Sequence, residues 1–91
     1  MPTTVQSILA ARIDRLRPQE KRLLETAAVI GKDFAYTLLQ AVTDEADEVI
    51  RPRLDYLQTA EFLYETRLFP NLEYTFKHAL THDVAYGSLL H

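Results

Sequence analysis

The sequence predicts a mainly α-helical domain carrying one small β-hairpin. Three observations predict it. Apolar residues recur at helical spacing as far as about residue 60. The period then changes to two over residues 62–76, and helical spacing returns from His78 onward.

The first helix is expected over residues 3–16. Thr3 and Thr4 are candidate N-caps, and Val5, Ile8, Leu9, Ile13 and Leu16 then recur on one face. Arg12, Asp14 and Arg15 fill the other side. A second helix, 18–30, opens with Pro18, whose missing N–H suits a first turn, and with Glu20, whose charge suits the helix dipole. Its buried stripe is Leu23, Leu24, Ala27, Ala28 and Ile30, and Gly31 is placed to take a left-handed conformation just after it. Residues 34–42, FAYTLLQAV, read as a short apolar helix, and Thr43 to Asp47 as the break that follows.

A fourth helix is expected over 47–60, with Val49, Ile50, Leu54 and Leu57 on one face and Pro52 in an early turn. In LEYTF, residues 72–76, Leu72, Tyr74 and Phe76 alternate with Glu73 and Thr75, and FLYET, residues 62–66, alternates likewise. Pro70 and Asn71 supply the turn of a hairpin spanning 62–77. A last helix runs over 78–90, with Leu80, Val84 and Ala85 inward. Three helices followed by a hairpin is the winged-helix (helix-turn-helix) arrangement. Residues 47–60 fill the recognition-helix slot and 62–77 the wing.

Composition bounds the function. A chain of 91 residues, 47% hydrophobic, is the size of a single small domain with one core, and this composition argues against disorder. There is no cysteine, which removes disulfides, thiol catalysis and Cys-based zinc sites. The two glycines, Gly31 and Gly87, are too few for a P-loop or a GxGxxG loop, where backbone must approach phosphate closely. No apolar run approaches the roughly 20 residues of a membrane span, and no signal peptide is visible, so the cytoplasm is the expected compartment.

Charge argues against DNA reading. A recognition helix enters the major groove beside phosphates and needs a positive face. From Asp44 to Glu61 there are six acids, Asp44, Glu45, Asp47, Glu48, Asp55 and Glu61, against Arg51 and Arg53 alone. The wing sets Glu65 and Glu73 against Arg67 and Lys77. Half of the ten Lys and Arg residues lie instead between Arg12 and Arg22, which reads either as a basic patch or, on the favoured bland reading, as a solvated face laced with Glu20 and Glu25. A DNA-binding module of a transcription regulator is the rival reading.

No autonomous active site is evident. His78 and His82 stand at metal-ligand spacing, but HALTH lacks the glutamate of a zincin helix and a third ligand. The bland reading puts one histidine near a helix start and the other on an exposed turn. Asp55 with Glu61, or Asp14 with Asp33, have no spacing that distinguishes them from solvated charges. Ser7 and Ser88 sit within helices. The five tyrosines are expected as half-buried lids with surface hydroxyls.

Four segments resemble a known stretch of large bacterial signalling proteins: TVQSILAARIDRL (4–16), KRLLETAAVIGKDF (21–34), AEFLYE (60–65) and YTFKHALTHDVAYGSLL (74–90). Those proteins join class III adenylate/guanylate cyclase domains to an AAA-like ATPase module of the STAND class and to long helical repeats. The matching stretch is the winged-helix domain just after the ATPase core. The resemblance implies a piece of a larger multidomain protein that is itself non-catalytic. Its partners would be the neighbouring ATPase and helical-repeat domains. It carries no cofactor of its own, ATP or ADP being held by the upstream module, and it moves when one replaces the other.

In a related branch the helix after the wing begins with Met-His-Asp, whose histidine reaches the ADP β-phosphate. His78 falls on that histidine, Lys77 stands beside it to add charge, and Ala79 replaces the aspartate. The alternative for His78 is a helix cap bonded to the wing. Leu68 and Phe69, in the turn, are either an anchor into a neighbouring domain or a fold-back onto their own hairpin. Apolar surface left uncovered in isolation is expected to drive homodimers.

Overall fold

Thr4 starts the first helix by a reciprocal cap. Its hydroxyl accepts from the Ser7 N–H at 3.1 Å, and the Ser7 hydroxyl accepts from the Thr4 N–H at 3.0 Å. The structure is a computed structural model describing residues 4–90. Thr3, the other candidate cap, lies outside them. The helix, α1 (Val5–Asp14), is shorter than the expected 3–16. Leu9, Ile13 and Leu16 face the core, but Val5 and Ile8 do not and are exposed, a correction to the predicted stripe.

α2 (Pro18–Ile30) matches its expected limits, with Pro18 at the first position and Gly31 closing it at a φ of 154°. Backbone that only glycine adopts readily therefore redirects the chain into the sheet. Glu20, expected on a solvated face, is fully buried instead.

The segment 34–42 departs from expectation. Asp33–Ala35 forms a strand, β1, and the helix α3 (Tyr36–Thr43) begins only after it. Phe34 is pulled into the sheet by aromatic packing, stacked on Tyr74 at 5.9 Å and edge-on to Phe76 at 6.1 Å. Asp44, in the left-handed conformation, ends α3. α4 (Asp47–Thr59) is one helix containing Pro52.

β2 (Leu63–Arg67) and β3 (Glu73–Phe76) form the hairpin, with a register shift between Glu65 and Arg67. The sheet has three antiparallel strands in the order β1-β3-β2, not two. With β3 central, simple alternation fails. Thr75 is buried along with Tyr74 and Phe76, and its hydroxyl donates to the Asp33 carboxylate. Phe62 and Leu63 are likewise both buried. α5 (Ala79–Leu89) completes the fold.

One core gathers side chains from every element, including Ile13, Leu24, Phe34, Leu39, Leu54, Leu63, Phe76 and Ala85. The protein is thus mainly α-helical with a small sheet, in the winged-helix-like order of helices α2, α3 and α4 followed by the β2–β3 wing. No helix among the described residues is long and apolar enough to cross a membrane.

Candidate functional site

The residues singled out in the sequence lie on α4, on the β2–β3 hairpin and at the start of α5. On α4, burial of Ile50, Leu54 and Leu57 turns Glu48, Val49, Pro52, Asp55 and Tyr56 outward. Both arginines of the helix are engaged by carboxylates. Arg51 Nε donates to Asp47 Oδ1 at 2.8 Å, and Arg53 donates to both Glu45 oxygens at 3.3 Å. Glu48 and Asp55 have no ion-pair partner among the described residues. The exposed face is therefore net acidic, with apolar and aromatic side chains between the charges.

Behind this face Tyr36, Asp47 and Arg51 form a clasp between α3 and α4. The Tyr36 hydroxyl donates to Asp47, and the Arg51 guanidinium lies 4.9 Å from the Tyr36 ring centre. Burial, and then the Asp47 bond, push the Tyr36 hydroxyl up to about 12. The Tyr36 bond and the Arg51 bond hold the Asp47 carboxyl below its ordinary range.

His78 is the N-cap residue of α5, exposed, with no side-chain capping bond. Its carbonyl accepts from the Thr81 and His82 N–H groups. The ring is thus placed at a helix N-terminus without holding it, and it does not bond the wing. Lys77 is engaged, since its ammonium donates to Glu61 Oε1 at 3.0 Å. That bond, with Arg12 and His78 nearby, draws the Glu61 carboxyl below its ordinary range. The same bond uses one of the three Lys77 ammonium donors and partly neutralises the ammonium charge.

The wing tip does not fold back: Phe69 is 80% exposed and Leu68 is exposed beside it. They and His78 belong to separate elements, the wing turn and the start of α5.

His82, expected on an exposed turn, is a structural residue. Its Nε2 lies 2.9 Å from the Ala28 carbonyl, its Nδ1 3.0 Å from Asp83, and its ring packs edge-on against Phe76 at 5.3 Å. It ties α5 to α2 and β3. No group of metal-ligating side chains occurs among the described residues. Three of the carboxylates weighed as pairs have other partners: Asp14 holds Lys21, Asp33 accepts from Thr75, and Glu61 holds Lys77, while Asp55 is exposed on α4. Ser88 donates to Glu25. The tyrosines divide, Tyr36 and Tyr74 being buried and Tyr56, Tyr64 and Tyr86 exposed, rather than all being half-buried lids. Sequence reasoning missed the buried Glu20, although its position three and four residues before Leu23 and Leu24 puts it on the buried stripe of α2, and the α3–α4 clasp, whose i,i+4 Asp47–Arg51 spacing was its only sequence trace.

Comparison with known protein families, curated proteins and solved structures returns no match to this chain.

Proposed function

We propose that this domain is a non-catalytic interdomain module of a STAND-type ATPase linked to class III adenylate/guanylate cyclase signalling, and that it couples nucleotide state to conformation. The four segments quoted above motivate the family. One observation carries the choice between a protein-facing and a DNA-facing winged helix. In the recognition-helix slot both arginines are committed to carboxylates, while Glu48 and Asp55 stay exposed beside Val49, Pro52 and Tyr56. A phosphate backbone is repelled by such a face, and a protein surface is not.

In this reading the upstream ATPase domain holds ADP or ATP in the cytoplasm. Leu68 and Phe69 anchor the wing in a neighbouring domain, and the exposed His78 ring donates to an ADP phosphate in the closed state. The helix N-terminus favours an anion there by its dipole and free N–H groups. A charge-assisted hydrogen bond made in one state only contributes about 1.5–3 kcal/mol. That lies in the range of about 1–3 kcal/mol typical of coupling between sites. A ligand with no such difference between states shifts nothing.

The test is His78→Ala in the ATPase-containing parent protein. ADP affinity is expected to fall about tenfold, with ATP affinity much less affected. Unchanged ADP affinity and unchanged ADP/ATP preference remove the sensor role. Duplex DNA titrated at low salt against the chain itself is expected not to bind. Clear, salt-sensitive binding favours the transcription-regulator reading instead.

A further inference from the structure

The first helix carries an apolar edge that the core does not use. Val5 and Ile8 are exposed, and with Leu9 and Leu80 they line a hollow of about 520 Å³ that reaches His78. Arg12 borders this hollow and also a second one, of about 240 Å³, walled by Arg15, Tyr56 and Phe62. Val5, Ile8, Arg12 and Arg15 are spaced by three or four residues, so they form one stripe along α1. The two hollows thus join at Arg12 into one track, apolar at the N-terminal half of α1 and cationic at its C-terminal half.

The cations of this track are held in position. Arg12 donates to the Ala60 carbonyl at 2.8 Å and lies 4.8 Å from the Phe62 ring centre. Arg17 lies 5.4 Å from the Tyr56 ring centre. The nearby carboxylates are occupied: Glu20 is buried against Arg17, Glu61 holds Lys77, and Asp14 holds Lys21. Arg15 has no ion-pair partner among the described residues. Arg12 and Arg15 are therefore two cations without an ion-pair partner among the described residues, side by side on one end of the track of a chain with net charge −3. Such a local reversal of sign selects a partner of opposite charge.

We propose that this track is a docking groove for an amphipathic helix of a partner protein. The apolar side chains of that helix seat on Val5, Ile8 and Leu80, and its carboxylates meet Arg12 and Arg15. Helix-in-groove recognition reads anchors at this same three-and-four spacing. A nucleic-acid backbone satisfies the arginines but leaves the Val5–Ile8–Leu80 half uncovered. This inference goes beyond the reading above and does not depend on an ATPase being attached.

Two fluorescently labelled helical peptides test it on the chain as it stands. They share a leucine-lined first half on one face, and differ in carrying glutamates or lysines along the second half. Anisotropy is expected to show the glutamate peptide binding about tenfold tighter or more, and losing affinity as salt rises. Arg15→Glu is expected to reverse the preference, and Ile8→Ser to weaken both peptides. Both substituted side chains are exposed, and unchanged circular dichroism confirms that folding persists. Amide shifts are expected on α1 and residues 78–80. Equal affinity for the two peptides, binding by neither, or shifts confined to α4 or the wing overturn the proposal. Duplex DNA that displaces the glutamate peptide, or sedimentation placing a second copy of the chain in the track, overturns it as well.

Discussion

Tyr36 shows how a single side chain sets a pH range. Its hydroxyl, at about 12 in the folded chain, stands above the ordinary value of 10.0, so its contribution is complete below that value and lost as pH rises toward 12. Asp47 works in the opposite sense. Its carboxyl is held below the ordinary 3.8, so its contribution is complete above that value and lost as pH falls through its lowered folded value. Denaturant unfolding followed against pH is therefore expected to give a plateau between these edges. Tyr36→Phe should flatten the alkaline edge and, by removing the first cause of the Asp47 shift, soften the acid edge.

Glu20 is the other instructive residue. It is fully buried, bonded to Arg17 through one oxygen, and its Oε2 has no hydrogen-bond partner. Arg17→Ala is expected to cost about 2 kcal/mol, a value reduced because the arginine itself is largely exposed. The double variant Arg17→Ala with Glu20→Met is expected to recover most of that loss, since an apolar side chain needs no partner there. Equal losses in the single and double variants would contradict this account of the pair.

At the scale of elements, the longer helices were legible and the shortest strand was not. Pro18, the Leu23–Leu24–Ala27–Ala28 stripe and Gly31 marked α2 to within its limits, because cap, period and stop all agreed. β1 has only three residues, too few for a period of two to register, and its apolar Phe34 runs straight into the helical pattern that follows. Only the pairing with β3, Phe34 opposite Tyr74, makes it a strand. Phe34→Ala is accordingly expected to cost about 3–4 kcal/mol, more than an exposed helical aromatic would, measured by denaturant unfolding. A loss below 1 kcal/mol would mean that β1 does not anchor α3 (about 0.5 kcal/mol being typical of surface positions).

The candidate site was partly legible for the same reason. His78 was singled out by the resemblance and Leu68 and Phe69 by the apolar turn of the hairpin, and all three side chains are exposed. The Val5–Ile8 edge was misread as core, because periodicity identifies an apolar face without saying what covers it. His82 was misread because its partner, the Ala28 carbonyl, is remote in sequence.

For the molecule as a whole, the core and the proposed partner surfaces are made by different residues. Phe69, 80% exposed, contributes nothing to the core. Phe69→Ala is expected to leave unfolding within about 0.5 kcal/mol of the original chain. In the proposed parent protein it should still weaken docking of the wing on its neighbour, read by increased proteolytic access to the wing. The unpaired acids Glu48 and Asp55 on α4, and the unpaired Arg12 and Arg15 at the end of α1, give the described residues two electrostatically different patches. A moving part between domains needs such distinct contacts, because only contacts that differ between states bias the equilibrium. The most direct measurement is amide hydrogen exchange across residues 62–90 in the ATPase-containing parent protein, compared between its ADP and ATP states. The account predicts slower exchange around His78 and along the wing with ADP, relaxing when ATP replaces it; identical exchange in the two nucleotide states would contradict it.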